Sequence, residues 1–145
     1  MTRRELIRFA LAVPCVRLVA AEKADTTPVV IVHPSNKFDS LGRSKVRFLF
    51  LRRVSRWPWG AEVRPIELSP PNLLRDRFLA EVLRTTEEQL EAYWIDERAT
   101  RGITPPIQAR DAEAARALVA ARPGAIGYIP ASALDASVKA LRIED

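Results

Sequence analysis

Val29-Val30-Ile31-Val32 is a continuous run of β-branched residues, and it ends at the turn-forming stretch His33-Pro34-Ser35-Asn36. Such a run is typical of a β-strand that is covered on both faces. Further strands are predicted downstream over residues 62–68 and 125–129, with a short terminal strand near 140–143.

Helical patterns separate these strands. Leu74, Phe78 and Val82 repeat every four residues and predict a helix over 71–84, while Thr86 to Gln89 forms a capping box that predicts a helix to about Arg98. Shorter helices are predicted over 43–50, 111–121 and 131–138. Strands separated by helices predict a layered α/β domain, here over residues 29–145.

The N-terminus has the pattern of an export signal. A positively charged start is followed by the apolar stretch Phe9 to Ala21, which ends in small residues. Thr2 to Arg8 also resembles a twin-arginine signal. We therefore expect a signal peptide over 1–21, a tether over 22–28, and a periplasmic or secreted mature protein. The alternative is an amphipathic N-terminal helix.

The charge distribution argues against a nucleic-acid partner. The net charge is +5, and residues 1–21 hold four arginines and one glutamate, so that +3 lies there and +2 remains for the rest. A remainder of +2 is low for a nucleic-acid-binding domain. One local cluster, which contains no acidic residue, is either a solvated face or an anion-attracting patch. Its members are Arg43, Lys45, Arg47, Arg52, Arg53 and Arg56.

No motif for catalysis, metal binding or cofactor binding is present in the sequence. The chain has no phosphate-binding loop of the nucleotide type, no dinucleotide fingerprint and no nucleophile elbow. Its one cysteine, Cys15, lies in the N-terminal segment, and its one histidine, His33, has no evident catalytic partner. We expect a protein that is not an enzyme and has no metal and no cofactor. A weaker alternative is a small hydrolase built around His33, which would require a carboxylate or hydroxyl within hydrogen-bond reach.

Four segments in this order, 29–36, 39–60, 66–83 and 123–131, resemble the substrate-binding proteins of phosphate ABC transporters, which have the type 2 periplasmic-binding fold. The resemblance is carried by Ser35-Asn36, Ser40-Leu41, Phe48 to Leu51, Trp57, Arg75, Phe78 and Pro123-Gly124-Ala125-Ile126-Gly127-Tyr128. It implies a binding protein for phosphate or a similar oxyanion, associated with ABC-type phosphate uptake.

Two departures from that family concern the ligand. A full member clamps its ligand between two lobes, whereas this chain has room for little more than one. The family's anion loop, Gly-Ser-Gly-Thr-Arg at the start of a helix, corresponds to 71–75 here, and only Arg75 is retained. Pro70 and Pro71 have no N–H to donate to an anion. The resemblance therefore implies weak binding.

The predicted oxyanion ligands are Ser35, Asn36, Ser69, Asn72 and Arg75. Each has a structural alternative. Ser69 or Asn72 would cap the following helix, and Arg75 would pair with Asp76, Glu67 or another neighbour.

A second hypothesis is an interaction module that kept the scaffold of a binding-protein lobe and lost its ligand. Its partner would be a membrane transporter or another protein, contacted through Arg52-Arg53 and Trp57-Pro58-Trp59. Convergence of the predicted ligands on one cleft would favour oxyanion binding. An exposed apolar patch would favour docking.

Overall fold

A computed structural model describes residues 27–145 and has a central sheet of five strands in the order β4-β3-β5-β1-β6. These strands are β1 (Pro28–Val32), β3 (Arg64–Leu68), β4 (Ile107–Ala109), β5 (Ala125–Pro130) and β6 (Lys139–Ala140). Two short strands, β2 (Ser40–Gly42) and β7 (Arg142–Glu144), pair with each other in parallel. The predicted signal peptide over 1–21 and the first residues of the predicted tether lie outside the described residues.

The direction of β1 fixes which loops are neighbours. β3 is parallel to β4 and β5, whereas β1 runs antiparallel to β5. Val32, the last residue of β1, pairs with Ile126 near the start of β5, and Pro65 near the start of β3 pairs with the same residue. We call this end of the sheet, where β1 terminates, the β1 end. The opposite end, where β3 and β5 terminate, is the β3 end.

Within residues 27–145, four α-helices cover the sheet. They are α1 (Arg43–Phe50), α2 (Leu73–Phe78), α3 (Glu87–Arg101) and α4 (Ala112–Ala121). The predicted capping box is confirmed, since Thr86 accepts from the Gln89 N–H and the Gln89 side chain accepts from the Thr86 N–H. Gly102 ends α3 in the left-handed conformation, with φ 68°. Among residues 27–145, the helices are all too short or too polar to cross a bilayer.

The helix predicted over 71–84 is shorter and less regular than expected. It begins at Leu73 because the Asn72 side chain accepts the Arg75 N–H as its N-cap. After Phe78 the backbone continues as a π-helical segment over Leu79–Leu83. Apolar spacing alone does not distinguish this segment from an α-helix.

Two other predictions are corrected. The helix expected over 131–138 is a single 3₁₀ turn, Ala131–Ala133. The Asp135 carboxylate accepts hydrogen bonds from the N–H and hydroxyl of Ser137, and such local bonds compete with helix formation. The loop expected over 101–110 contains β4, whose pairing partner lies far away in sequence.

An aromatic cluster holds the helices to the sheet. The rings of Phe78 and Tyr128 stack with centroids 3.9 Å apart, and Phe50 meets Phe78 edge-on at 4.8 Å. All three side chains are fully buried. Trp57 lies over the start of β5, where its indole N–H donates to the carbonyl of Gly124 at 2.9 Å. This contact fixes the loop after α1 against the sheet.

Candidate functional site

The loop that follows β3 and the first turn of α2 together hold three of the five predicted ligands. The Ser69 N–H donates to the carbonyl of Ala109 at 2.9 Å, which ties the loop to β4. The Pro70–Pro71 peptide bond is cis, and neither proline offers an N–H. Asn72 uses its side-chain oxygen to cap α2. The backbone donors of this loop are therefore few.

Arg75 is buried and engaged by two carboxylates. Its Nε and Nη2 donate to Glu87 at 2.6–3.1 Å, and its Nη1 donates to Glu67 Oε1 at 2.5 Å and to the Leu68 carbonyl at 3.0 Å. Its side chain is 4% exposed and that of Glu67 is 3% exposed, while that of Glu87 is 45% exposed. Each nitrogen of the guanidinium thus has a partner within the chain. The pairing with Glu67 that the sequence left open as an alternative is confirmed.

The protonation states at this end of the sheet follow from burial. Burial raises the pKa of Glu67 above its ordinary value, although the charge of Arg75 opposes the shift. The other carboxylate oxygen of Glu67 is buried and has no hydrogen-bond partner. Burial and the charge of Glu67 raise the pKa of Tyr128, whose hydroxyl accepts the Leu68 N–H at 3.2 Å. Burial disfavours the charge of Arg75, but the hydrogen bond with Glu87 and the charge of Glu67 raise its pKa.

A cavity of about 260 Å³ opens beside this network. Its apolar wall comes from prolines, Leu90, Trp94 and Ile95. Its charged lining consists of three carboxylates and two guanidiniums, namely Glu67, Glu87, Glu91, Arg75 and Arg98. This balance does not attract a free anion in the way that a cluster of cations would.

The loop after β1 holds the other two predicted ligands. Asn36 is buried, its side-chain oxygen accepts the Phe38 N–H at 2.9 Å, and its carbonyl accepts from Lys139 Nζ at 2.7 Å. Its side-chain nitrogen has no partner. The Ser35 hydroxyl lies 2.8 Å from His33 Nδ1. These contacts are made within the loop or to the nearby C-terminal segment.

The five predicted ligands do not converge. Ser35 and Asn36 lie at the β1 end of the sheet, whereas Ser69, Asn72 and Arg75 lie at the β3 end. A tetrahedral oxyanion is much shorter than the strands between them. One anion therefore cannot contact both groups, and whether either group binds an anion stays a prediction.

His33 and Ser35 lie as close together as the base and nucleophile of a hydrolase would, but the distance is the only requirement of such a pair that they meet. Nδ1 of His33 already accepts the Ser35 backbone N–H at 3.1 Å, so the contact belongs to a tight turn. In the described part of the chain, the other imidazole nitrogen bonds to no carboxylate that would orient it. Across that same part, no group of three or more histidine, cysteine, aspartate or glutamate side chains is placed to hold a metal ion.

A second concave surface lies between α1 and the loop that follows it. We call it the α1 groove, and its volume is about 440 Å³. Its apolar lining is Phe38, Leu41, Phe48, Leu49, Val54, Trp57 and Pro58. Phe48 and Val54 are 38% and 40% exposed, so two large apolar side chains of the groove face solvent. Lys45 and Arg56 line the groove, and it contains no carboxylate.

The sequence did not identify Glu87 as part of the β3 end, and it offered Glu67 only as one possible neighbour of Arg75. A signal for Glu67 was available, because this carboxylate stands between the apolar residues Ile66 and Leu68 of β3. A buried carboxylate requires a partner. The role of Glu87 has no such signal, since its position at the start of α3 is explained by capping alone.

We expect the free energy of unfolding to fall as pH rises above 4.5, the ordinary pKa of Glu67, because burial raises its pKa in the folded state. In that range the folded protein keeps a proton that the unfolded chain has released, so higher pH favours unfolding until the raised pKa is passed. Urea denaturation between pH 4.5 and about 8 measures this slope. Asp39, Asp135 and Asp145 have pKa values below the ordinary 3.8, so their protonation changes stability only at a pH below 3.8, outside this window.

The matched variants are Glu67→Gln, which should flatten the slope, and Glu88→Gln, which changes an exposed carboxylate on α3 and should keep it. A wild-type midpoint that stays level or rises across the window would contradict the assignment.

Comparison with known proteins supports the fold. Neither protein-family models nor curated proteins match this chain. Among solved structures, one similar protein comes from Clostridium perfringens and is described as a phosphate ABC transporter substrate-binding protein with bound phosphate. Its TM-score is 0.66 and its sequence identity is 20%. The alignment covers 81% of this chain and 44% of that protein. An ABC-type phosphate transport receptor from Vibrio cholerae has a TM-score of 0.65 and 15% sequence identity, and the alignment covers 82% of this chain and 46% of that protein. PstS from Borrelia burgdorferi has a TM-score of 0.63 and 12% sequence identity, and the alignment covers 82% of this chain and 47% of that protein.

These similarities confirm the resemblance to phosphate ABC transporter substrate-binding proteins and the prediction of an α/β domain like one lobe of such a protein. The chain spans less than half the length of each of these three proteins.

Proposed function

We propose that this chain is an exported, non-enzymatic binding domain built on one lobe of the phosphate-binding-protein scaffold and associated with ABC-type phosphate uptake. The shared fold supports the scaffold and the class of protein. The apolar N-terminal stretch after a basic start supports export.

The first candidate ligand is a small oxyanion such as phosphate, bound at the β3 end by Ser69, Asn72 and Arg75. The observation that carries this candidate is the position of Arg75 at the start of α2, where a cation is unfavourable unless an anion accompanies it. In this structure Glu87 and Glu67 are those anions.

Phosphate would have to replace Glu87, since Glu67 lies deeper. Glu87 is nearly half exposed, so its side chain can leave Arg75 and be solvated by water. Glu87 belongs to the same chain as Arg75 and therefore competes with phosphate for it at all times. The cavity also contains Glu91, whose negative charge repels an anion. Both effects weaken binding, as do the two prolines that offer no N–H.

Titration calorimetry of the full chain with phosphate at low salt, with sulfate as the comparison anion, tests this candidate. We expect wild-type dissociation constants of about 1 mM or weaker, and about tenfold tighter phosphate binding in Glu87→Gln, in which the outer face of Arg75 is released. Glu88→Gln makes the same charge change on the same helix without touching Arg75, and should match the wild type.

Two results would contradict the oxyanion candidate. One is heat-silent titration of both the wild type and Glu87→Gln. The other is phosphate binding that is equally strong in Glu87→Gln and Glu88→Gln, because the effect would then be general electrostatics.

The second candidate is docking to another protein, and a specific observation favours it. The α1 groove is a concave surface with a largely apolar lining, and two of its apolar side chains, Phe48 and Val54, are exposed to solvent. The groove lies outside the β3 end, so the two candidates are tested by different residues.

A further inference from the structure

The cations that border the α1 groove lack carboxylate partners within residues 27–145. Lys45 makes no hydrogen bond or ion pair there. Arg56 donates only to the Gly60 carbonyl, which leaves its charge uncompensated. Arg53 lies over the rings of Phe48 and Tyr93, at 6.0 and 5.6 Å from their centroids. Two positive charges, those of Lys45 and Arg56, thus line an apolar depression, whereas Arg53 contacts Phe48 and Tyr93 without lining it.

The rest of the basic cluster is engaged elsewhere. Arg43 pairs with Asp145 at 2.7 Å, Arg47 donates to the Leu83 carbonyl, and Arg52 donates to the Thr104 carbonyl. Neither Arg52 nor Arg53, which the sequence offered together as contact residues, lines the groove.

We propose that the α1 groove binds an acidic, amphipathic protein segment, with apolar side chains in the groove and carboxylates facing Lys45 and Arg56. Charge complementarity selects this partner, because all the charged residues at the groove are positive. The inference deepens the docking candidate and does not depend on phosphate binding at the β3 end.

Other occupants fit the groove less well. The chain's own N-terminal residues 1–21 carry a net charge of +3, from four arginines and one glutamate, and would be repelled by these cations. A bilayer surface is broad and flat, whereas the apolar side chains here line a concave surface of about 440 Å³. That volume suits a few leucine or phenylalanine side chains entering from a helix.

The test uses the full chain and a fluorescently labelled synthetic peptide of about 18 residues, with leucine and phenylalanine on one helical face and glutamate on the other. Fluorescence anisotropy measures binding. Two control peptides separate the contributions, one with lysine in place of glutamate and one with serine in place of the apolar residues. Phosphatidylglycerol vesicles serve as the membrane control.

Two variants alter the groove, namely Lys45→Glu and Phe48→Ser, and both positions are exposed, so that folding is retained. We expect each to weaken binding of the acidic amphipathic peptide at least about tenfold. Arg122→Glu changes an exposed cation at the end of α4, away from the groove, and should leave binding unchanged.

Several results would overturn the proposal. These are no binding of the acidic amphipathic peptide, equal binding of the serine peptide, and equal binding by the groove variants and the wild type. Preferential binding of the vesicles, or a concentration-dependent dimer that Phe48→Ser abolishes, would assign the groove to a membrane or to a second copy. None of these results bears on the phosphate titration, which reports on Glu87 and Arg75.

Discussion

Arg75→Ala is expected to lower the free energy of unfolding at neutral pH by about 3–5 kcal/mol, because the substitution leaves the buried carboxylate of Glu67 without its cation. The pKa of Glu67, already raised by burial, would rise further. The destabilisation then has two sources. Glu67 takes up a proton on folding, and the hydrogen bond from Arg75 to the Leu68 carbonyl is lost. The loss should be smaller near pH 5 than near pH 8, and urea denaturation at both values measures it.

Two further variants separate charge pairing from general effects on α2. Arg77→Ala removes an exposed arginine that pairs with Glu81 on the helix surface, and should cost about 0.5 kcal/mol. The double variant Arg75→Met/Glu67→Leu replaces the buried pair by apolar side chains and should recover most of the loss. A loss below about 1 kcal/mol for Arg75→Ala, or a double variant no more stable than the single one, would contradict this role of the pair.

Gly124→Ala is expected to cost at least about 3 kcal/mol, at the upper end of what overpacking produces. A Cβ added at Gly124 would overlap the backbone carbonyl oxygen of Glu62, which cannot rotate away as a side chain would. The Gly124 carbonyl also accepts from the Trp57 indole and the Arg64 N–H, so a backbone shift would weaken both bonds. Thermal unfolding together with tryptophan emission measures the effect.

Gly42→Ala is the matched control for this prediction. A Cβ there would lie 3.9 Å from the Glu144 carbonyl, an ordinary contact, and the loss should stay at about 1 kcal/mol or less. If Gly124→Ala were as stable as Gly42→Ala, the close approach of β5 to the loop before β3 would not exist in solution.

The fold could be predicted where the signals are local. The β-branched run at β1 and the capping box at Thr86 each depend on neighbouring residues, and each is found in the structure. The apolar repeat predicted the helical segment that starts at Leu73, but not its change to a π-helix after Phe78. The short strands β2 and β4 were missed because three residues carry no periodicity. Their pairing is decided by partners distant in sequence, β7 and β3.

The candidate site could be predicted only in part, and the reason lies in strand direction. The sequence places polar loops after β1 and after β3, and both loops hold the residue types that bind anions. Nothing local indicates that β1 runs antiparallel to β5 while β3 runs parallel to it. That difference in direction separates Asn36 from Asn72 by the length of the sheet.

We infer that Glu87, rather than an external anion, occupies the outer face of Arg75 in the wild-type protein. Two-dimensional NMR of the ¹⁵N-labelled full chain, titrated with phosphate, tests this claim most directly. We expect no saturable shifts in the wild type at submillimolar phosphate, and in Glu87→Gln we expect saturable shifts confined to residues 69–76. Saturable shifts in the wild type at micromolar phosphate, at 69–76 and at 33–36 together, would contradict it.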